Sequence, residues 1–204
     1  MTPLEFAAAA AVPRDKLARL EAYAALLVQW QGAVNLVGRD TLADLWRRHM
    51  LDSAQLAAHL PAEARIITDL GSGAGFPGLV LAVLTGLKVH LVEATGKKAA
   101  FLREAARICG ARAEIHHGRA ESLAAWSTDV ITARALAPLP VLLDYAAPFV
   151  AASPRPPTCL FLKGRSGGEE LTQARKTWTM TADILPSLSD ETGMVLKLRD
   201  ISRP

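Results

Sequence analysis

Apolar positions recur at two different spacings along the chain, and the change falls near residue 65. Before it, Leu17, Leu20, Ala24, Leu27 and Trp30 lie three and four apart, behind Pro13, Arg14 and Asp15 and ahead of Gly32. That spacing predicts an amphipathic helix. Leu42, Leu45, Trp46, Leu56 and Leu60 predict a second helix over residues 41–59, stopped by Pro61. The alanine run at the start frays or caps a helix, so the first 60 residues read as wholly helical. Beyond Arg65, short apolar runs predict strands over residues 66–70, 88–93, 112–117, 129–135 and 158–163. Helices over 76–85, 95–109 and 138–151, with a short turn near Glu121, fill the gaps. Strands alternating with crossover helices give a mostly parallel sheet with helices on both faces. Residues 177–185 and 194–198, joined by the polar stretch 187–192, predict an antiparallel hairpin at the sheet edge. The expected organisation is a helical extension (1–62) packed on an α/β core (63–204), together one compact unit.

Half of the 204 residues are apolar. A chain of this length buries roughly 70% of the surface its unfolded form exposes, so neither a disulfide nor a metal is needed to hold it. Cys109 and Cys159 form no CxxC pair and read as buried thiols in a reducing compartment. Residues 1–12 lack the basic cluster and long apolar core of a signal peptide. The longest apolar stretch, 76–87, is interrupted by Pro77, Gly78 and Gly86 and falls short of the roughly 18 residues a membrane span requires. A cytoplasmic protein with no membrane partner is expected. The net charge of +3 is uneven: residues 1–60 hold six basic and six acidic side chains. Lys97, Lys98, Arg103, Arg107, Arg112 and Arg119 meet only Glu104 and Glu114 in their window. Such a patch attracts phosphates, although a solvated helix face looks the same in sequence.

The richest local signal is the run Asp69-Leu70-Gly71-Ser72-Gly73-Ala74-Gly75-Phe76-Pro77-Gly78, between the first predicted strand and a helix. Glycines two apart remove the Cβ atoms that would hold a ligand off the backbone, permit positive φ, and lead into free helix N–H groups. The dinucleotide fingerprint GxGxxG would place its third glycine where Phe76 stands. Phe76 and Pro77 therefore argue for a ligand without a pyrophosphate. Glu93 ends the second strand, 22 residues past Gly71, where an acidic side chain accepts hydrogen bonds from both ribose hydroxyls. Asp69 either caps the loop or accepts from a ligand ammonium. An adenosine ligand with no phosphates and a charged amino-acid tail describes S-adenosylmethionine.

The run 69–78 with Glu93 resembles motifs I and II of class I methyltransferases. Further segments narrow the resemblance: Trp30-Gln31 with Asn35-Leu36, His49-Met50-Leu51-Asp52-Ser53, Gly75-Phe76-Pro77-Gly78, Gly96-Lys97-Lys98, Arg119-Ala120-Glu121, Arg134-Ala135-Leu136-Ala137 and Lys163-Gly164. Together they resemble the bacterial small-subunit ribosomal RNA guanine-N7 methyltransferase G family, also called glucose-inhibited division protein B. Val37, Val80 and the last forty residues depart from the family pattern. The resemblance implies a Rossmann-like sheet with an antiparallel edge strand and methyl transfer from S-adenosylmethionine to N7 of a guanine in 16S ribosomal RNA. The RNA would be free or part of a 30S particle, and the enzyme a monomer. It implies a cofactor site of Asp69, Gly71, Gly73, Gly75, Phe76, Glu93, Ala120, Glu121 and Arg134. Arg134, at the carboxyl end of the fourth strand, becomes the positioning residue, able to grip an RNA phosphate or the purine O6 bidentately. Arg47, His49, Lys97 and Lys163 become RNA-contact candidates.

Guanine N7 carries an available lone pair and attacks a sulfonium methyl without losing a proton, so no general base is expected. Other acceptors leave other marks. A cytosine-C5 nucleophile usually follows proline, whereas Cys109 follows Ile108 and Cys159 follows Thr158. Exocyclic-amine transfer usually uses an (Asn/Asp)-Pro-Pro-(Tyr/Phe) loop, where this chain has Arg134-Ala135-Leu136-Ala137-Pro138. His49 and Asp52, three apart, share a helix face. With Arg47 they either pin the first helices over the cleft, face RNA, or simply pack. His116 and His117 point to opposite faces of a strand, no other set has zinc spacing, and no metal is expected. A nicotinamide-dependent oxidoreductase and a non-enzymatic nucleotide- or RNA-binding protein are the alternative readings.

Overall fold

The computed structural model describes residues 1–203. Its strands are β1 (Ile66–Leu70), β2 (Lys88–Glu93), β3 (Ala113–His117), β4 (Val130–Arg134), β5 (Thr158–Lys163), β6 (Thr179–Pro186) and β7 (Met194–Ser202). They form one sheet in the order β3-β2-β1-β4-β5-β7-β6. The first five pair in parallel, and β7 lies antiparallel between β5 and β6. β1, β4 and β5 are almost continuously buried, as strands covered on both faces must be. Chain order reverses between β1 and β4, which opens a crevice at the carboxyl ends of the strands.

On one face, α1 (Pro3–Ala9), α2 (Arg14–Val34), α5 (Gly78–Thr85) and α6 (Gly96–Ile108) share a core with Ile67, Val89 and Leu91 of the sheet. On the other, α7 (Leu139–Ala152) and α8 (Gly167–Ala174) bury Leu143, Phe149 and Leu171 against Ile131 and Phe161. The N-terminal helices belong to the first of these cores. Leu20, Tyr23 and Leu27 of α2 are fully buried, and the Tyr23 ring lies 5.5 Å from Phe76 and 6.3 Å from Phe101. Arg19 donates to the carbonyls of Cys109 (2.7 Å) and Gly110 (2.8 Å), placing a cation on the unsatisfied end of α6. Cys109 and Cys159 are buried free thiols, and burial pushes both pKa values up. Among the described residues no helix is long and apolar enough to cross a membrane.

Two elements differ from expectation. The helix expected over 41–59 is broken into α3 (Arg39–Leu42), a π-helical turn (Trp46–Leu51), α4 (Asp52–Ala54) and a 3₁₀ turn (Gln55–His59). The amide of Asp52 reaches back to the carbonyl of Arg47, five residues away, leaving the Arg48 carbonyl to accept 3.0 Å from Arg134. Apolar spacing does not register that a backbone carbonyl has a partner elsewhere in the fold. α8 was not expected, because it opens on Gly167-Gly168, the weakest helix formers after proline.

Candidate active site

A cleft of about 730 Å³ opens at the carboxyl ends of the strands, and the glycine loop forms one wall. Gly71, Gly73 and Gly75 have φ of +67°, +56° and +97°. A Cβ on Gly75 would lie 2.6 Å from Leu79 Cδ1 and 2.9 Å from the Tyr23 hydroxyl, so nothing larger fits. Tyr23 donates its hydroxyl hydrogen to the Ala74 carbonyl, holding the outer side of the loop against α2. Glu93 holds the inner side: Oε2 accepts from Gly73 N (2.9 Å) and Oε1 from Thr95 N (2.7 Å). Each of these carboxylate oxygens keeps a second lone pair for a ligand hydroxyl. The bare backbone at Gly71 and Gly73 beside Glu93 fits an adenosine-type ligand whose ribose reaches Glu93. A smaller cavity of about 100 Å³ continues from Gly71, Ala94 and Leu136 to Ala120 and Glu121, where such a ligand would place its base.

Asp69 lies beneath the loop and does not line the cleft. It is fully buried; Oδ1 accepts from Thr132 Oγ1 (2.8 Å) and Oδ2 from Gly78 N (3.3 Å). Burial pushes its pKa up to about 6, opposed by those hydrogen bonds and by Arg134. This corrects the expectation of a direct cofactor contact: Asp69 braces the loop.

The opposite wall is built from side chains. Arg134 ends β4 and sends Nη2 to His49 Nδ1 (2.8 Å) and Nη1 to the Arg48 carbonyl (3.0 Å) and Asp52 Oδ2 (3.3 Å). Its guanidinium carbon sits 5.0 Å from the centre of the Phe76 ring, and His49 stacks on the same ring at 5.1 Å. Arginine only donates, so His49 Nδ1 is the acceptor and Nε2–H points to Thr41 Oγ1, 2.8 Å away. Burial, and then the charge of Arg134, lowers the His49 pKa to about 3 and keeps the ring neutral. Asp52 Oδ1 accepts from Ser189 Oγ (2.6 Å) and Gln55 Nε2 (3.0 Å), and Arg48 pairs with Asp190 at 2.6 Å. The loop between β6 and β7 is thereby latched onto the N-terminal helices. Gln31 adds a clamp: its Oε1 accepts from Leu36 N (2.9 Å) and Val37 N (3.0 Å), fixing two cleft-lining residues.

Several expected roles change. Three hydrogens of Arg134 are engaged by protein acceptors, and one Nη2 hydrogen and the Nε hydrogen remain for a ligand. His49 is buried as the partner of Arg134, which removes it from the RNA-contact candidates. Lys163 is a strut, with Nζ 2.6 Å from the Ala137 carbonyl and 2.8 Å from Glu170, which also accepts from Leu139 N. Arg47 faces Asp44 at 3.6 Å outside the cleft, and Arg48 lines it instead. Lys97 is exposed at the start of α6, and Lys98 lines the cleft. Arg48, Lys98, Leu136, Ser189 and Asp190 were missed as site residues. Lys98 left a trace in its basic run, and Leu136 in the Arg134-Ala135-Leu136-Ala137 segment.

One further cluster lies away from the cleft. His90 on β2 and Glu114 and His116 on β3 bring three metal-type donors together, which corrects the expectation that no such set exists. Partners in adjacent strands carry no sequence spacing: His90 stands 24 residues before Glu114.

A sheet in the order β3-β2-β1-β4-β5-β7-β6 with β7 antiparallel, a glycine loop after β1 and an acidic residue after β2 together define the class I methyltransferase fold. In fold the chain is similar to M. jannaschii TYW2 in complex with AdoMet (TM-score 0.58, 11% identity, 83% of this chain and 78% of that one). It is likewise similar to the O-methyltransferase from Bacillus cereus in complex with SAH (TM-score 0.57, 14% identity, 87% and 90%). The sequence pattern of the family "rRNA small subunit methyltransferase G" (GidB) matches residues 16–192, and the chain belongs to that family. Proteins named "Ribosomal RNA small subunit methyltransferase G" are close relatives. That of Rhodospirillum rubrum is 54% identical over 203 residues and all of both chains. That of Paramagnetospirillum magneticum is 52% identical over 203 residues, 100% of this chain and 98% of its own.

Proposed function

We propose that this enzyme transfers the methyl group of S-adenosylmethionine to N7 of a guanine in 16S ribosomal RNA, free or in the 30S particle. It acts in the cytoplasm as a monomer, by positioning and without a general base. The observation that carries the base-free reading is the state of the acids and bases lining the cleft. The neutral His49 ring is held at both nitrogens, by Arg134 and Thr41. Both oxygens of Asp52 are engaged, Glu93 holds two amides, Glu170 holds Lys163, and Asp190 holds Arg48 and Thr192. A site so committed suits a nucleophile that brings its own lone pair.

S-adenosylmethionine supplies a sulfonium methyl that a neutral nitrogen can displace. Arg134 and His49 lie side by side on the buried Phe76 ring, and the guanidinium is kept there by Asp52 and the Arg48 carbonyl. The Arg134 hydrogens left free can donate to the purine O6, holding N7 in line as positive charge moves onto the ring. Lys97 and Arg165 are exposed beside cleft-lining Lys98 and Gly164, and these three cations are the phosphate contacts of this reading. A single-turnover transfer assay on 16S RNA lacking the modification tests it. The rate should be nearly flat from about pH 6 to 8.5, with all label on guanine N7. A bell-shaped profile with a limb near neutrality, or a methyl on an exocyclic nitrogen, a ribose oxygen or a cytosine carbon, would overturn it.

A further inference from the structure

The crossover from β3 to β4 contains only a 3₁₀ turn (Ala120–Ser122), so the sheet face over β2 and β3 at this edge is closed by a loop instead of a helix. Residues alternate between faces along a strand, and this face carries His90 of β2 and Glu114 and His116 of β3 beside the buried Val92. His90 Nδ1 lies 2.8 Å from His116 Nε2. Glu114 Oε2 is 3.7 Å from His90 Nδ1, and its Oε1 is 3.6 Å from His116 Nε2. Four donors arranged tetrahedrally on zinc at 2.0–2.1 Å are separated from one another by about 3.3 Å. The separation of the two ring nitrogens is shorter than that value, each ring nitrogen is slightly farther than it from one oxygen of the Glu114 carboxylate, and all three side chains belong to the types zinc prefers.

We infer that His90, Glu114 and His116 form a site for one divalent transition-metal ion of the zinc type, with water completing its shell. The rings are prepared for it. Trp126 stacks on His116 at 4.2 Å and packs on His90 at 4.9 Å, and its indole N–H is anchored to Thr68 Oγ1 at 2.9 Å. That wall fixes ring orientation as an outer shell does in metal sites. Burial lowers the pKa of both imidazoles, that of His90 to about 4, so both are in the neutral form that ligates. One hydrogen now lies between the two facing nitrogens; on metal binding it moves to the far nitrogen of its own ring, and both facing lone pairs go to the metal. Lys88 Nζ, 2.9 Å from Glu114 Oε2, is a cation already at the carboxylate and swings out into solvent. The bound ion joins β2 to the edge strand β3.

The test uses the untagged full chain, stripped with a chelator, titrated with Zn²⁺ against a chromophoric chelator and with Co²⁺ by visible absorption. One equivalent should bind with a micromolar dissociation constant, and Zn²⁺ should raise the thermal midpoint. Glu114→Gln, at an exposed position, and His116→Gln should each weaken binding roughly tenfold or more. Lys88→Met should tighten it. Thermal midpoints measured in chelator establish that the variants are folded. Absence of micromolar binding in the parent chain, or affinity unchanged in both Glu114→Gln and His116→Gln, would overturn the site.

Discussion

The two walls of the cleft are made in opposite ways. The wall of residues 71–78 is backbone, and its shape follows from what is missing: three Cβ atoms and the φ restriction they impose. The wall around Arg134 is side chain, and it joins β4, the π turn of the N-terminal helices and the β6–β7 loop through His49, Arg48, Asp52 and Ser189. The first takes its shape from its own backbone and is held from outside by single hydrogen bonds to Tyr23 and Glu93. The second exists only when three distant parts of the chain are in place, so it couples the acceptor side of the site to the integrity of the whole fold.

The largest effect is expected at the backbone wall. Gly75→Ala should lower S-adenosylmethionine affinity by roughly 100-fold or more in isothermal titration, since its Cβ would strike buried Leu79 and Tyr23 at a φ of +97°. Gly71→Ala meets Leu136, whose side chain is at the surface and can turn away, and should cost roughly tenfold. Equal losses at the two positions would mean that the loop senses φ alone.

Next comes the side-chain wall. Arg134→Lys keeps the charge but offers one compact ammonium to three acceptors, and should slow single-turnover transfer roughly 30-fold or more while cofactor affinity moves only a few-fold. A lysine variant transferring at the parental rate would show that charge alone suffices there.

Smaller is the acid limb of this wall. His49 has a folded pKa near 3, below its ordinary value of 6.5, so its contribution to stability is intact above about pH 6.5 and is lost as pH falls toward 3. By pH 5 the loss should be about 2 kcal/mol in urea unfolding, and His49→Gln should remove that slope. A slope unchanged in the variant would place the protonation elsewhere. Lys163→Ala should also cost about 2 kcal/mol, since it leaves the Glu170 carboxylate without its cation and with only Leu139 N and Ser166 Oγ as partners, yet leave the salt dependence of RNA affinity unchanged. Lys97→Ala and Lys98→Ala should each reduce that salt slope by roughly one unit, the smallest of these effects. The opposite assignment would restore Lys163 as a phosphate contact and make the exposed pair incidental.

Strands β1, β2 and β5, the helices that follow the first two, and the glycine loop with Glu93 were legible in the sequence. Each depends on interactions between near neighbours: alternation of apolar positions, a turn that requires positive φ, a helix start after it. The family resemblance added the reaction and placed Arg134 in the site. It could not say that Arg134 is already gripped by His49, nor that Lys163 faces inward to Glu170. The π turn, the latch from Ser189 and Asp190 to the N-terminal helices, and the meeting of His90 with Glu114 and His116 were decided by tertiary structure alone. Sequence determines where a backbone can bend and which face of an element seeks the core. It does not determine where a long polar side chain finds its acceptor, because that acceptor comes from a strand or loop tens of residues away whose position is fixed only when the sheet has formed.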